Sequence, residues 1–153
     1  MHIPIAPVLL VVDDEPDILS TVQAFLEASI PGANVRACLS ATSALDILRE
    51  VEVDLVLSDL KMPGMDGLQF LTKARARAPE VPRVLMTAYP DTDLAIRAIN
   101  EGRIQHFLTK PLDPTMLSSV VASLLADRMA RQYRVEAFAR SLRVLQERAA
   151  AEA

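Results

Sequence analysis

One cysteine in 153 residues leaves little room for cysteine chemistry. Cys38 has no partner for an internal disulfide, and a cysteine-rich metal site is excluded. It lies in an apolar segment, where a thiol serves as a small core residue. Basic excess is also absent: 16 Lys and Arg face 20 Asp and Glu, for a net charge of −4. That balance gives no reason to expect nucleic acid or an acidic membrane surface as partner. Long hydrophobic runs are missing too. The longest, Ile3 to Val12, carries Pro4 and Pro7 and falls far short of a membrane span. It has no basic lead and no small-residue cleavage site, so it is a poor signal peptide. The expected location is cytoplasmic.

What is present is a strict alternation. Val8–Val12 is a β-prone run ended abruptly by Asp13-Asp14-Glu15-Pro16. Pro16 suits the first turn of a helix, and Ile18, Leu19, Val22, Phe25 and Leu26 recur at helical spacing until Pro31-Gly32. A short strand over Asn34–Leu39 leads to Ser40, an N-cap for a helix over Ala41–Glu50. Val53–Ser58 is an apolar strand that runs into Asp59 and a loop holding Pro63, Gly64 and Gly67. A helix over Leu68–Ala78 follows, then a strand at Val84–Met86 ending at Thr87-Ala88-Tyr89-Pro90. The pattern continues with a helix over Leu94–Asn100 stopped by Gly102, a strand over Ile104–Leu108 and Thr109-Lys110-Pro111. Asp113 caps a last helix opened by Pro114. Five β–α alternations predict an α/β fold, a doubly wound five-stranded parallel sheet with helices on both faces.

In such a sheet, ligands sit beyond the carboxyl ends of the strands. Those ends present Asp13 and Asp14, Asp59, Thr87 and Lys110. Taken singly, each has a plain structural role as a helix-start acid, a turn residue or a surface lysine. Together they describe one chemistry. Converging carboxylates repel unless a cation offsets them, and hard oxygen donors suit Mg²⁺. A hydroxyl and an ammonium opposite the acids can grip phosphoryl oxygens. The set points to phosphoryl transfer onto a carboxylate.

Val-Val-Asp-Asp-Glu (11–15), Ser-Asp-Leu-Lys-Met-Pro-Gly-Met-Asp-Gly (58–67), Met-Thr-Ala-Tyr (86–89) and Leu-Thr-Lys-Pro (108–111) come in one order across residues 8 to about 125. In this the chain resembles the receiver domains of two-component response regulators. The resemblance implies a flavodoxin-like sheet with strand order 2-1-3-4-5. It implies that Asp59 accepts a phosphoryl group from a histidine kinase or phosphotransfer protein. Asp14, Asp59 and the backbone carbonyl of Lys61 would ligate Mg²⁺ (or Mn²⁺), with Asp13 acting through water. Thr87 and the backbone N–H of Ala88 would bind phosphoryl oxygens, and Lys110 would pair with the phosphate. Phe107 would be the switch aromatic, Lys61 and Tyr89 would modulate the phosphoryl lifetime, and the peptide before Pro111 would be cis. Residues 98–104 and 107–111 resemble receivers fused to cyclic-dinucleotide phosphodiesterases, nucleotide cyclases or kinases, more than those fused to DNA-binding domains.

These features set the expected division as a receiver over residues 1–125 and a helical extension over 126–153. The extension has no Gly or Pro and holds six Arg against four acids. Val121, Leu124, Val135, Phe138, Leu142 and Leu145 follow alternating three- and four-residue steps, a heptad seam interrupted by Arg128 and Arg131. Pairing with a second copy through Val135, Phe138, Leu142 and Leu145 is one reading; packing back on the same domain is the other. The expected function is a phosphorylation-controlled switch acting on a partner or an output domain. It would not be an enzyme with turnover on outside substrates. A phosphatase of this chemistry normally has a second acid two residues after the nucleophile, where Lys61 stands. A flavin site is disfavoured by the acidic loop after the first strand. The alternative is a degenerate receiver that binds or dimerises without phosphorylation.

Overall fold

The computed structural model describes residues 6–153. Five strands and five helices alternate: β1 (Val8–Val12), α1 (Pro16–Ser29), β2 (Asn34–Cys38), α2 (Ala41–Glu50), β3 (Leu55–Asp59), α3 (Gly67–Arg77), β4 (Arg83–Thr87), α4 (Thr92–Arg97), β5 (His106–Thr109) and α5 (Pro114–Glu152). All pairings are parallel, in the order β2-β1-β3-β4-β5. The sheet is the flavodoxin-like one that the alternation and the motifs predicted.

The period-two geometry of a strand splits β1 between two cores. Leu10 and Val12 face α2 and α3, packing with Phe70, Leu71 and Leu85. Leu9 and Val11 face α1 and α5, with Leu26, Leu57, Leu117 and Val121. Every residue of β3 and β4 is buried, as expected for strands covered on both faces.

Local chemistry fixes where the helices begin. Ser40 caps α2 by accepting from the Ser43 N–H, and Asp113 caps α5 from the Thr115 and Met116 N–H groups. Asp66 and Gln69 form a reciprocal capping box at α3. The α3 start is pressed against the end of β3, with the Gly67 N–H donating to the Leu60 carbonyl at 2.7 Å. A Cβ at Gly67 would run into the Asp59 carbonyl oxygen and lie 2.8 Å from its carbon.

β3 begins at Leu55 and not at Val53, β2, α3 and β4 shift by single residues, and the larger differences from the sequence reading lie around β5. The helix expected over Leu94–Asn100 ends at Arg97 and gives way to a π-helical turn, Ala98–Gly102. Its C-cap is Arg103 in the left-handed region, φ 42°. The Arg103 carbonyl accepts from Arg83 Nη2 at 3.0 Å. β5 therefore starts at His106 and not at Ile104. Gln105 extends the contact to β4 instead, its N–H bonding the Arg83 carbonyl and its Oε1 accepting from the Arg83 N–H.

The Gly67 contact predicts that Gly67→Ala destabilises the chain by about 1–3 kcal/mol, the usual cost of overfilling a packed position. A chemical denaturation midpoint unchanged from wild type would contradict this.

Candidate functional site

Parallel strands place all five carboxyl ends on one edge of the sheet, and the predicted residues gather there. Asp13 follows β1 directly, Asp59 closes β3, Thr87 closes β4, and Lys110 follows β5 with its N–H on the Thr87 carbonyl at 2.8 Å. Asp13, Asp59 and Thr87 are buried; Asp14 is half-buried. Carboxylate oxygens of Asp13, Asp14 and Asp59 all lie within 4.8 Å of one another.

Lys110 is the counter-charge. Its Nζ stands 2.9 Å from Asp13 Oδ2 and 3.2 Å from Asp59 Oδ1. The Glu15 N–H holds the other Asp13 oxygen at 3.0 Å, and the Leu60 N–H donates to Asp59 Oδ1 at 2.9 Å. Burial pushes the Asp59 carboxyl above its ordinary range, and the Asp13 charge adds to the shift; Lys110 and the Leu60 N–H offset only part of it. Burial pulls the Lys110 ammonium down, but the hydrogen bond and charge of Asp13, followed by those of Asp59, outweigh it, so the net shift is upward. Three carboxylates against one ammonium leave two negative charges uncompensated when all are ionised. Clustered hard oxygens with excess negative charge are the donor set Mg²⁺ takes, so the residues fit that ion.

Around this centre, Thr87 turns its hydroxyl to the next loop, where Oγ1 accepts from the Tyr89 N–H at 3.1 Å. Ala88 is exposed just beyond it. The exposed Lys61 and Tyr89 meet across the two loops, Nζ lying 4.6 Å from the ring centroid. Phe107 is half-buried and packs against the core on the α2–α3 face. The Lys110–Pro111 peptide is cis.

The predicted seam residues do not belong to this site. Val135, Phe138, Leu142 and Leu145 are 69%, 66%, 43% and 60% exposed on the far half of α5. Arg128 stands in the seam register, seven residues after the buried Val121 and seven before Val135. It turns inward, 3% exposed, with Nε 3.2 Å from Asp54 Oδ1. The sequence reading missed this pair, along with the buried Arg83. The available signal was an acid just before an apolar strand and an arginine in step with the apolar face of Leu117, Val121 and Leu125.

Residues 9–122 match the family described as the response regulator receiver domain. The chain belongs to that family of two-component signalling domains. Among relatives, response regulator Rre1 of Synechocystis is 44% identical over 124 residues, covering 80% of this chain and 53% of Rre1. The C4-dicarboxylate transport transcriptional regulatory protein DctD of Rhizobium meliloti is 38% identical, over 69% of this chain and 22% of its own length. The chain thus spans about half of one relative and under a quarter of the other. The receiver domain of an HD domain-containing protein from Pseudomonas fluorescens superposes with a TM-score of 0.77 at 34% identity, covering 82% of this chain and 98% of its own. An adenylate cyclase structure from Rhodopirellula baltica gives 0.76 at 25% identity, covering 87% and 97%. Among the described residues, no helix is long and apolar enough to cross a membrane.

The upward shift of Asp59 has a defined consequence for stability. A raised folded-state pKa gives stability that is present at low pH and lost as pH rises through that value. Metal-free protein at neutral pH therefore carries the cost of an ionised, buried Asp59. In chelator at pH 7, Asp59→Asn should melt above wild type, with the gap closing as pH falls into the carboxylate range. An equal or lower melting temperature at pH 7 would contradict the assignment.

Proposed function

We propose that this receiver takes a phosphoryl group on Asp59 from a histidine kinase or phosphotransfer protein and relays that event as a change of surface. The single observation that supports this most is the sharing of Lys110 between Asp13 and Asp59 in an otherwise acidic, buried pocket. One Asp59 oxygen attacks the donor phosphorus as the nitrogen–phosphorus bond breaks, and the electron pair leaves on the donor imidazole. Asp14, Asp59 and the Lys61 carbonyl are the residues that would hold Mg²⁺, with Asp13 reaching it through water. When bound, the ion would offset the charge on the transferring group. Lys110 pairs with the phosphoryl oxygens once they arrive, and Thr87 and the Ala88 N–H bind the others.

For its hydroxyl to reach the phosphoryl group, Thr87 gives up the Tyr89 N–H. That inward move frees space beside Phe107, whose half-buried ring can follow. The switch therefore couples the site to α4, the π-helical turn after it and β5, where Ile96 and Ile99 stand exposed. Lys61 and Tyr89, in contact on the loops that follow β3 and β4, flank the site and restrict water, which lengthens the life of the aspartyl phosphate. Residues up to about 125 form the receiver. The extension 126–153 presents Val135, Phe138, Leu142 and Leu145 to a second copy, making a homodimer. Output passes to a partner or a further domain, with cyclic-dinucleotide turnover the favoured class on the resemblance of residues 98–111. A purely phosphorylation-independent binding module is disfavoured, because every residue the chemistry needs is in place.

Intact-mass spectrometry after incubation with acetyl phosphate tests the reading. Wild type should gain one phosphoryl adduct with Mg²⁺ and none with chelator, and Asp59→Asn should gain none. The adduct on Tyr89→Ala should decay severalfold faster. Labelling of Asp59→Asn would remove Asp59 from its role; an unchanged decay would end the role of Tyr89 in restricting water.

A further inference from the structure

α5 runs 39 residues without a break, about 58 Å at 1.5 Å per residue. Its first four turns are packed by Leu117, Val121 and Leu125 on the α1 face of the sheet. Past Gln132 only Ala137 is better than exposed, so about 30 Å of helix leaves the domain. The point of departure carries a feature no simple packing requires. Arg128, buried to 3% exposure, donates from Nε to Asp54 Oδ1 at 3.2 Å and from Nη1 to the Glu80 carbonyl at 3.5 Å. The other Asp54 oxygen accepts from the Val8 N–H at 2.9 Å. One carboxylate thus ties three pieces of chain: the start of β1, the residue before β3, and α5.

We infer that the buried Asp54–Arg128 pair is a clamp that makes α5 one rigid lever with the receiver, rooted at the opposite end of the strand that carries Asp59. Apolar side chains alone would hold the helix down without fixing its direction, since they tolerate sliding and rotation. A guanidinium held at two points by an acid and a carbonyl from different loops admits one geometry. A buried ion pair is often no more stabilising than apolar replacements, and its attested use is to select one arrangement. The clamp also decides which face is free. At about 100° per residue, Val135, Phe138, Leu142 and Leu145 centre roughly 75° away from Leu117, Val121, Leu125 and Arg128. With Arg128 turned to the domain, Val135 stays beside it over Glu80, while Phe138, Leu142 and Leu145 are rotated off the domain side. The helix cannot fold back without breaking the pair. Occupancy of that seam by a second copy rests on the dimer reading above; the clamp itself does not.

Hydrogen exchange on the full chain, with mass by light scattering on the same samples, tests both and separates them. In Arg128→Met and in Asp54→Asn, amides of residues 126–132 should exchange at least tenfold faster while β4 keeps its protection. The double variant should be no faster than the faster single. Arg128→Lys keeps the charge and loses the two-point hold, so its rates should fall between wild type and Arg128→Met. Wild-type rates at 126–132 in Arg128→Met and Asp54→Asn, or a double effect equal to the product of the singles, would overturn the clamp. Should those variants lose protection in β4 as well, Arg128→Lys decides: wild-type rates there overturn the clamp. A monomeric wild type with clamp-dependent exchange removes the dimer and keeps the lever. A dimer with clamp-independent exchange does the reverse.

Discussion

The structure turns on the way Lys110 is shared between Asp13 and Asp59, two buried acids separated by 46 residues and brought together at adjacent strand ends. Burial and mutual repulsion both oppose the ionised form of Asp59, and one ammonium offsets only part of the cost. The rest of the fold is what makes so unfavourable a cluster persist. Apolar layers on both sheet faces bury β1, β3 and β4 and bring their ends into line. The tight approach of Gly67 to the end of β3 fixes the loop after Asp59. The N–H groups of Glu15 and Leu60 aim the carboxylates. The result is a buried pocket whose excess negative charge fits a divalent cation.

Much of this was legible in the sequence because the information is local. Five β-prone runs, each ended by a polar residue and followed by helical spacing, suffice for a doubly wound parallel sheet, and parallelism then gathers Asp13, Asp14, Asp59, Thr87 and Lys110 without further assumption. Capping at Ser40 and Asp113 was readable for the same reason. What stayed hidden depends on partners far away in the chain. Arg128 looked like a break in a heptad because nothing near it in sequence indicates that Asp54, 74 residues earlier, waits beneath it. The end of α4 at Arg97 was misplaced because a glycine at 102 reads as a stop. In the folded chain the left-handed position falls instead on Arg103, whose carbonyl is held by Arg83.

The two ends of β3 have opposite characters. Its carboxyl end carries the acidic pocket, where charge is left unbalanced. Its amino end carries Asp54, whose charge is met by Arg128 and whose second oxygen is met by Val8. Four buried residues, Leu55, Val56, Leu57 and Ser58, lie between Asp54 and Asp59. An acidic centre with unbalanced charge and a fully paired anchor are thereby held on one strand. The long helix that leaves the anchor would carry any change in the receiver's orientation well beyond its own surface.

The central claim is that the excess negative charge at Asp13, Asp14 and Asp59 constitutes a divalent-cation site. Isothermal titration of the full chain with Mg²⁺ measures it directly. One saturable site per chain, abolished in Asp14→Asn and retained in Arg128→Lys, is the predicted result. Non-saturable binding, or an unchanged site in Asp14→Asn, would contradict the account.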